Sequence, residues 1–426
     1  MSGIKLYFLK IKVAFDKSQL KKYIKHNFFD SIYSILNLLI ASLDGFFFNI
    51  ILVRYLTLSD LGNYKLYFSI LNIFIILSVT GMNTSVSKST AKKYKRFFIR
   101  ASKLSGLFSI SATILMIILA FSYYKGSNIK LALLYSSFLV PIYFGFNIWE
   151  SFLYGQKDFK RILFFNTLIA VVRFSACSTI LLFLKNYIFA IIAYMLIVSI
   201  FNLIFFFWIY RKVKDEKPDL EKEKELIKHG FRLTGASAIS VIAKNVERII
   251  LDGVSNAALV GTYSIVSVFP SFVKNSLKNL INVPSVKLAS YTEKDNRRII
   301  RRSLLLIFIT GIVLVIIFWF ITPFLLKFFF KVKDPEVYFY GKLLLIPLIF
   351  MPIDLTIKYM MSYQGSGKSY FKLSTVTDII KLASLAIFIP IYKILGIIIG
   401  QIIGEFISFI ILGIWFLRTN KKLGLK

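Results

Sequence analysis

The sequence predicts an all-α membrane protein in which twelve transmembrane helices form two parallel-repeat six-helix bundles around a central cavity. Three observations support this fold class. The chain of 426 residues is 57% hydrophobic, whereas soluble proteins are about 45–50% apolar. Apolar runs of roughly 20 residues, long enough to cross a bilayer, recur about a dozen times. The longest polar stretch, Arg211 to His229, divides these runs into two sets of six.

The predicted spans follow one another with short connections, which leaves no room for a sizeable soluble domain. They cover residues of about 30–53, 64–85, 104–123, 131–152, 162–184, 187–210, 233–252, 258–282, 303–325, 341–361, 373–392 and 394–417. The seventh span is the least apolar. The twelfth contains a G-x-x-x-G-x-x-x-G pattern from Gly396 to Gly404. Small residues at this spacing let helices approach closely, so we expect these glycines to pack within the bundle.

Lys and Arg residues lie mostly in every second connection. They number 37 on that side and 10 on the other, to which we assign Lys65. Because cytoplasmic loops carry the excess of Lys and Arg, we expect a multi-pass protein of the cytoplasmic (inner) membrane with both termini in the cytoplasm. The same rule accounts for the net charge of +33 without a nucleic-acid partner.

These boundaries define five segments. They are a basic cytoplasmic N-terminus (1–29), an N-terminal six-helix bundle (30–210), a cytoplasmic linker (211–232), a C-terminal six-helix bundle (233–417) and a cytoplasmic tail (418–426). The N-terminus lacks the apolar core and cleavage site of a signal peptide, and it forms either an interfacial helix or a simple tail. The single cysteine, Cys177, excludes an intrachain disulfide, and the two histidines make no metal motif.

The two bundles are similar to each other when the sequence is shifted by 199 residues without a gap. The shift aligns Gly62 with Gly261 and Tyr64 with Tyr263. Six spans in each half leave both bundles in the same orientation. This indicates a parallel repeat about an axis along the membrane normal, with the substrate site between the halves.

Short segments of the chain resemble a known family. They are Arg54 to Tyr64 (RYLTLSDLGNY), Gly81 to Ser85 (GMNTS), Ala258 to Ser264 (ALVGTYS) and the residue Pro284. They are similar to segments of polysaccharide-unit flippases, a family that includes O-antigen transporters and belongs to the multidrug, oligosaccharidyl-lipid and polysaccharide exporter superfamily. The resemblance implies alternating access and a cavity lined largely by spans one, two, seven and eight. It also implies that the substrate is an undecaprenyl-diphosphate-linked oligosaccharide.

Basic residues inside the predicted spans are the main functional signal, because a charge at the bilayer centre costs roughly 2.5–3.5 kcal/mol. They are Arg173, Lys244, Arg248, Lys274, Lys278, Lys358 and Lys381. Lys274 and Lys278 lie one helical turn apart and repel each other, so an anion or water should lie beside them. A diphosphate has the matching charge.

We therefore predict a substrate-binding set within these cations, consisting of Arg248, Lys274, Lys278, Lys244 and Arg173. Two alternatives involve no substrate. The charges of span seven could extend to the membrane interface. Arg173 could instead pair with Asp44 or Glu150.

Two acidic residues pair with lysines at helical spacing, and we expect both pairs to be structural. They are Asp354 with Lys358 and Asp378 with Lys381. Other carboxylates inside the spans are candidates for ion coupling, because a buried carboxylate is a natural carrier of a proton or sodium ion. They are Asp44, Asp252 and Glu247. The alternative for Asp44 is a salt bridge to Arg173 or Arg248.

The predicted function is ion-coupled flipping of a lipid-linked oligosaccharide for surface polysaccharide biosynthesis. It needs no catalytic residue, metal or cofactor. The expected partners are membrane lipids, a proton or sodium ion and polysaccharide polymerase machinery, and the expected state is a monomer. The alternatives are a multidrug or cation antiporter of the same fold, which would want an acidic cavity, and a membrane polysaccharide polymerase or glycosyltransferase, which usually has a long outer loop.

Overall fold

A computed structural model describes residues 17–285, 293–363 and 367–422. The predicted N-terminal segment falls partly on residues 1–16, which lie outside this range. All regular structure in the described residues is helical, as predicted. The first half contains α1 (Lys17–Tyr55), α2 (Leu58–Phe74), α3 (Gly81–Ala91), α4 (Phe97–Phe121), α5 (Ile129–Ser137), α6 (Val140–Gly145), α7 (Trp149–Gln156), α8 (Phe159–Leu184) and α9 (Tyr187–Val213).

The second half repeats this plan with fewer helices among its described residues. It contains α10 (Leu220–Val254), α11 (Ala257–Val266), α12 (Val268–Ser285), α13 (Glu293–Phe330), α14 (Pro335–Leu343), α15 (Met351–Tyr363) and α16 (Gly367–Lys422). Short 3₁₀ turns at Ile75–Ser78 and Ile346–Ile349 continue α2 and lead into α15. The predicted linker is therefore partly helical, since α10 begins within it.

The helices agree with twelve spans. Eight helical segments are long and apolar enough to cross a membrane, and two bent pairs, α5 with α6–α7 and α11 with α12, give two more. α16 crosses twice, because Lys393 has a non-helical backbone (φ 52°, ψ −119°) in the gap predicted between the last two spans. The remaining span is α10, whose charges make it the most polar of the set.

Large apolar side chains cover the outer surface of the bundles. Phe138, Phe183 and Phe320 are each more than 70% exposed. Such a surface would aggregate in water and fits contact with lipid. The glycines of the last span pack within the bundle as predicted: a Cβ at Gly396 would lie 2.1 Å from the carbonyl oxygen of Phe388 in the first half of α16.

The two halves meet through the starts of α2 and α11. Thr57 and Asn256 cap these helices by accepting hydrogen bonds from the backbone N–H groups of Asp60 and Leu259, respectively. One turn later the helices touch. A Cβ at Gly62 would lie 1.7 Å from the carbonyl oxygen of Ala257, and a Cβ at Gly261 would lie 2.0 Å from that of Leu58.

This contact is reciprocal under the shift of 199 residues, because Leu58 is the counterpart of Ala257 and Gly62 that of Gly261. The internal similarity therefore corresponds to a structural two-fold relation between the halves. At the opposite end, Gly81 of α3 donates its N–H to the hydroxyl of Thr234 on α10 at 2.9 Å. The two halves thus touch at Thr234 of α10 and again just beyond the C-terminal end of that helix, at Ala257 and Gly261.

Candidate functional site

The central cavity lies between α1, α2, α10, α11 and α12, the helices of spans one, two, seven and eight. Its volume is about 190 Å³. Its lining is polar and small on most sides. The lining residues are Ala41, Ser42, Gly45, Phe46, Asn49, Lys65, Arg248, Ser264, Ser267, Val268, Ser271, Phe272 and Asn275. This lining contains two cations and no carboxylate.

Lys65 is one of the two cations and was not predicted as a site residue. The assignment of Lys65 to the outer side is wrong: the side chain projects from α2 into the cavity and donates a hydrogen bond to Asn49 of α1. The sequence feature that could have indicated this role is the position of Lys65 at the start of span two, directly after the Gly-Asn-Tyr segment. The repeat counterpart of Lys65 is Ser264, which also lines the cavity.

Arg248 is the second cation and lies in the cavity as predicted. Its guanidinium carbon is 5.5 Å from the ring centroid of Tyr263. Its Nε is buried and has no hydrogen-bond partner among the described residues. The neighbouring Glu247 points the other way: its carboxylate accepts hydrogen bonds from the Tyr263 hydroxyl at 2.6 Å and from Gln401 at 2.7 Å. Glu247 is therefore held inside the C-terminal half, away from the part of Arg248 that lines the cavity.

Lys244, Lys274 and Lys278 lie beside the cavity and do not line it. Lys244 is close enough to Lys274, Lys278 and Lys381 to feel their charges. α10 runs away from the linker and α12 runs back, so these three lysines lie nearer than Arg248 to the end predicted to be cytoplasmic. They form a basic approach to the cavity on the wall of the C-terminal half.

Glu405 is an acidic residue of this wall that the sequence analysis missed. It is buried, and Lys381 donates to its Oε1 at 2.6 Å, while the Nζ of Lys274 lies 4.0 Å from the same atom. The predicted pairing of Lys381 with Asp378 is therefore wrong, because a residue on the other half of α16 offers a closer carboxylate. A lone glutamate inside an apolar span was the available signal. The predicted pair of Asp354 and Lys358 is confirmed at 3.0 Å.

In the N-terminal half, Arg173 of α8 forms an ion pair with Asp44 of α1, one of the alternatives left open by the sequence. Arg173 also donates to the hydroxyl of Tyr194 at 3.1 Å. Both charged side chains are mostly buried. Asp252 lies apart from these groups at the end of α10, within hydrogen-bonding range of Tyr124.

Aromatic rings close the side of the cavity between α1 and the second half. The ring of Phe46 lies 5.5 Å from that of Phe269, 5.6 Å from that of Phe272 and 5.3 Å from that of Phe329. These four residues form what we call the aromatic seam. Nearby, Arg54 donates to the carbonyl oxygen of Phe329 at 3.2 Å, which fastens the end of α1 to α13.

Solved structures with a similar fold include a lipid flippase and multidrug transporters. The chain is similar to "Lipid II flippase MurJ, inward closed conformation", with a TM-score of 0.69 and 14% identity over 90% of this chain and 86% of that one. It is also similar to an inward-facing multidrug resistance transporter of the MATE family of the MOP superfamily (TM-score 0.63, 15% identity, 91% and 95% covered).

A further similar structure is a MOP superfamily transporter from Pyrococcus furiosus, described as having a binding pocket of reverse polarity (TM-score 0.60, 14% identity, 89% and 95% covered). No curated protein matches the chain in sequence. The model of the family described as "Polysaccharide biosynthesis protein" matches residues 28–278, which is more than half of the chain. The chain therefore belongs to this polysaccharide biosynthesis protein family.

Proposed function

We propose that this protein is a flippase that moves a polyprenyl-diphosphate-linked oligosaccharide across the cytoplasmic membrane for surface polysaccharide biosynthesis. The observation that carries the proposal is the central cavity, which contains Lys65 and Arg248 and no carboxylate. Two cations without a counter-ion in a membrane interior require an anion, since an unpaired buried charge is costly. Membership of the polysaccharide biosynthesis family supports a sugar-bearing anion.

A diphosphate suits these groups chemically. The planar guanidinium of Arg248 can donate two parallel hydrogen bonds to one phosphate, and the ammonium of Lys65 acts as a point charge. The hydroxyls of Ser264, Ser267 and Ser271 and the amide of Asn275 line the same space and offer donors and acceptors to a sugar. The basic approach formed by Lys244, Lys274 and Lys278 would attract the anion from the cytoplasmic end.

The polyprenyl chain would stay in lipid during the transfer. It needs an opening between helices next to the cavity, and the aromatic seam is the part of the wall that can provide one. Its rings belong to helices from both halves and are joined by apolar contacts alone. Parting the seam would expose apolar rings to a lipid tail and would break the hydrogen bond from Arg54 to the carbonyl oxygen of Phe329. Alternating access would then move the headgroup while the tail slides along the seam.

The antiporter alternative is disfavoured by the charge of the cavity, because a site for cationic drugs needs carboxylates. The enzyme alternative would need a group of catalytic side chains at the outer end. The described connection from α13 to α14 is short, from Lys331 to Asp334, and presents no such group. Transport coupled to a proton or sodium ion, with a monomer as the working unit and polymerase machinery as a partner, completes the proposal.

The test compares Arg248→Ala, Lys65→Ala and the double variant with wild type in cells that make a surface polysaccharide. The control is Lys333→Ala, which removes an exposed lysine outside the cavity. A hydrogen bond to a charged group contributes about 1.5–3 kcal/mol, so each single change should weaken export roughly 10- to 100-fold. The readout is lipid-linked oligosaccharide retained in the cytoplasmic leaflet, with the membrane level of every variant measured.

Arg248→Lys should keep part of the activity, because the charge remains and the planar fork is lost. Full export by the double variant would refute the cavity as the anion site. Export of a cationic dye by the wild type, with no retained oligosaccharide in a deletion strain, would favour the antiporter.

A further inference from the structure

A second polar site lies in the N-terminal half, outside the central cavity. Asn166 of α8 donates from Nδ2 to Oδ1 of Asn37 on α1 and to Oε1 of Glu150 on α7, both at 3.0 Å. The hydroxyl of Tyr154 lies close to Asn37 and Glu150. Three helices are thus joined by amides around one carboxyl group.

Glu150 differs from three of the other carboxylates inside the bundles, each of which has a cationic partner. Asp44 has Arg173, Glu405 has Lys381 and Asp354 has Lys358 as partner. In the part of the chain that the structure describes, Glu150 forms no ion pair. Glu150 is half-buried, and the one neutral N–H donor that it meets among the described residues, that of Asn166, offsets only part of the cost of removing a charged carboxylate from water.

The charged and titratable groups on the surrounding helices do not supply the missing charge. Tyr33 is the described titratable side chain of α1 at this end. On α3, Lys88 lies near His229. Arg161 of α8 is 2.6 Å from Asp158, and Lys212 of α9 lies 3.3 Å above the ring of Trp208.

We propose that Glu150, with Asn166 and Asn37, is a proton-binding site. Binding of the proton would change the hydrogen bonds that join this site to α1. A proton suits the geometry better than a metal ion. Asn166 presents N–H groups, and the oxygen of Asn37 already accepts from it, so few oxygens remain for the roughly six ligands of a hard cation. Protonation turns one carboxyl oxygen from acceptor to donor, which changes the bond to Asn166 and, through it, the bond to Asn37.

The link to the cavity is the register of α1 and α8. Asn37 meets Asn166, and seven residues later on both helices Asp44 meets Arg173. These two side-chain contacts fasten α1 to α8. Ala41, Gly45 and Asn49 of the same helix line the cavity. A proton at Glu150 would weaken the contact of Asn37 with Asn166 and leave the ion pair of Asp44 with Arg173 in place. The transport consequence rests on the proposed function; the proton site does not.

The first experiment needs no substrate. The full-length protein in phosphatidylcholine vesicles is titrated with acid and base, and the protonated-carboxyl band is followed by infrared spectroscopy. We expect Glu150→Gln to remove one titrating carboxyl, whereas Glu221→Gln, an exposed carboxylate at the start of α10, removes none from the membrane interior. An unchanged band in Glu150→Gln would overturn the proposal. A band that responds to sodium chloride and not to choline chloride would overturn the proposal, because it would show that the site binds sodium rather than a proton.

If Glu150→Gln does not fold, as judged by thermal unfolding, Glu150→Asp supplies the same test, because the shorter carboxyl changes its hydrogen bond and shifts the band. The second experiment measures oligosaccharide export against pH. We expect Glu150→Gln to lose the pH response at least tenfold and Glu150→Asp to keep it. A proton site found by infrared in a protein that never exports the oligosaccharide would contradict the proposed function and leave this inference standing.

Discussion

At the scale of single residues, the charges inside the membrane are sorted by the partners they meet on other helices. Asp44 meets Arg173 and Glu405 meets Lys381, so these charges are neutralised within one bundle. Lys65 and Arg248 meet no carboxylate in the described structure and remain available. A substrate-binding role for Arg173 now has to compete with a buried ion pair, and the same holds for ion coupling by Asp44.

The ion pair of Asp44 and Arg173 gives a test of this competition. Removing one partner of a buried pair costs about 3–5 kcal/mol, because the other charge stays uncompensated, whereas replacing both by neutral groups costs far less. We expect Asp44→Asn to lower the unfolding temperature and the double variant Asp44→Asn with Arg173→Gln to restore most of it. Thermal unfolding in detergent is the measurement.

Transport by the same variants then separates the two roles. Export restored in the double variant would mean that the pair is structural. Export that stays slow in a stable double variant would mean that Asp44 or Arg173 also takes part in transport. Equal unfolding temperatures of both variants and wild type would contradict the ion pair itself.

At the scale of helices, the contact of α2 with α11 sets how closely the halves approach. At Gly62 and at Gly261, a carbonyl oxygen of the opposite helix occupies the space that a Cβ atom would need. Backbone cannot move aside as a flexible side chain can, so both positions need glycine while the helices touch. Because the contact lies where both helices begin, next to connections predicted to be outside, we expect it to close the outer end of the cavity.

Gly62→Val should therefore force this contact open. Overpacking of this kind costs about 1–3 kcal/mol, and opening the helices relieves it. We expect a cysteine placed at Ser267, in a Cys177→Ser background, to react faster with a membrane-impermeant thiol reagent added from outside. The matched control is Gly413→Val, where no atom lies within 4 Å of the added Cβ. Unchanged labelling in Gly62→Val would show that the contact is not the outer closure.

At the scale of the whole molecule, charge acts in two separate ways. We expect the basic connections to orient the chain in the membrane, and the proposed function gives the basic cavity the selection of the substrate. The linker between the halves is fastened to the connection between α3 and α4. Glu216 accepts hydrogen bonds from the N–H groups of Lys95 and Arg96, and Glu223 accepts one from the hydroxyl of Tyr94 at 2.9 Å. Burial, with the neighbouring carboxylate of Glu223, raises the pKa of Tyr94 to about 12.

The orientation is open to direct measurement. We expect reporter fusions at Lys222 to show the cytoplasm and fusions at Ala257 and Lys333 to show the outside, because 37 basic residues lie on the side of the first and 10 were counted on the other. Counting Lys65 as a cavity residue instead of an outer one leaves this charge asymmetry almost unchanged. A cytoplasmic signal from Ala257 would contradict both the orientation and the twelve spans.

The sequence alone determined what depends on local composition and spacing. Apolar length predicted the spans, including the break between 392 and 394, and the 199-residue shift predicted which glycines are equivalent. The pair of Asp354 and Lys358 followed from helical spacing, because both residues lie on one helix face. Arg248 was expected in the cavity because its span is polar and because the resemblance implied this location.

Only the tertiary structure decided which charges meet. Lys381 has a carboxylate at helical spacing, Asp378, yet binds Glu405, which is 24 residues away. Arg173 and Asp44 are 129 residues apart, and Lys65 and Arg248 come from different halves. Such contacts depend on how far each helix is rotated and shifted against its neighbours. That arrangement is set by the packing of whole helix surfaces, and no spacing within a single span encodes it.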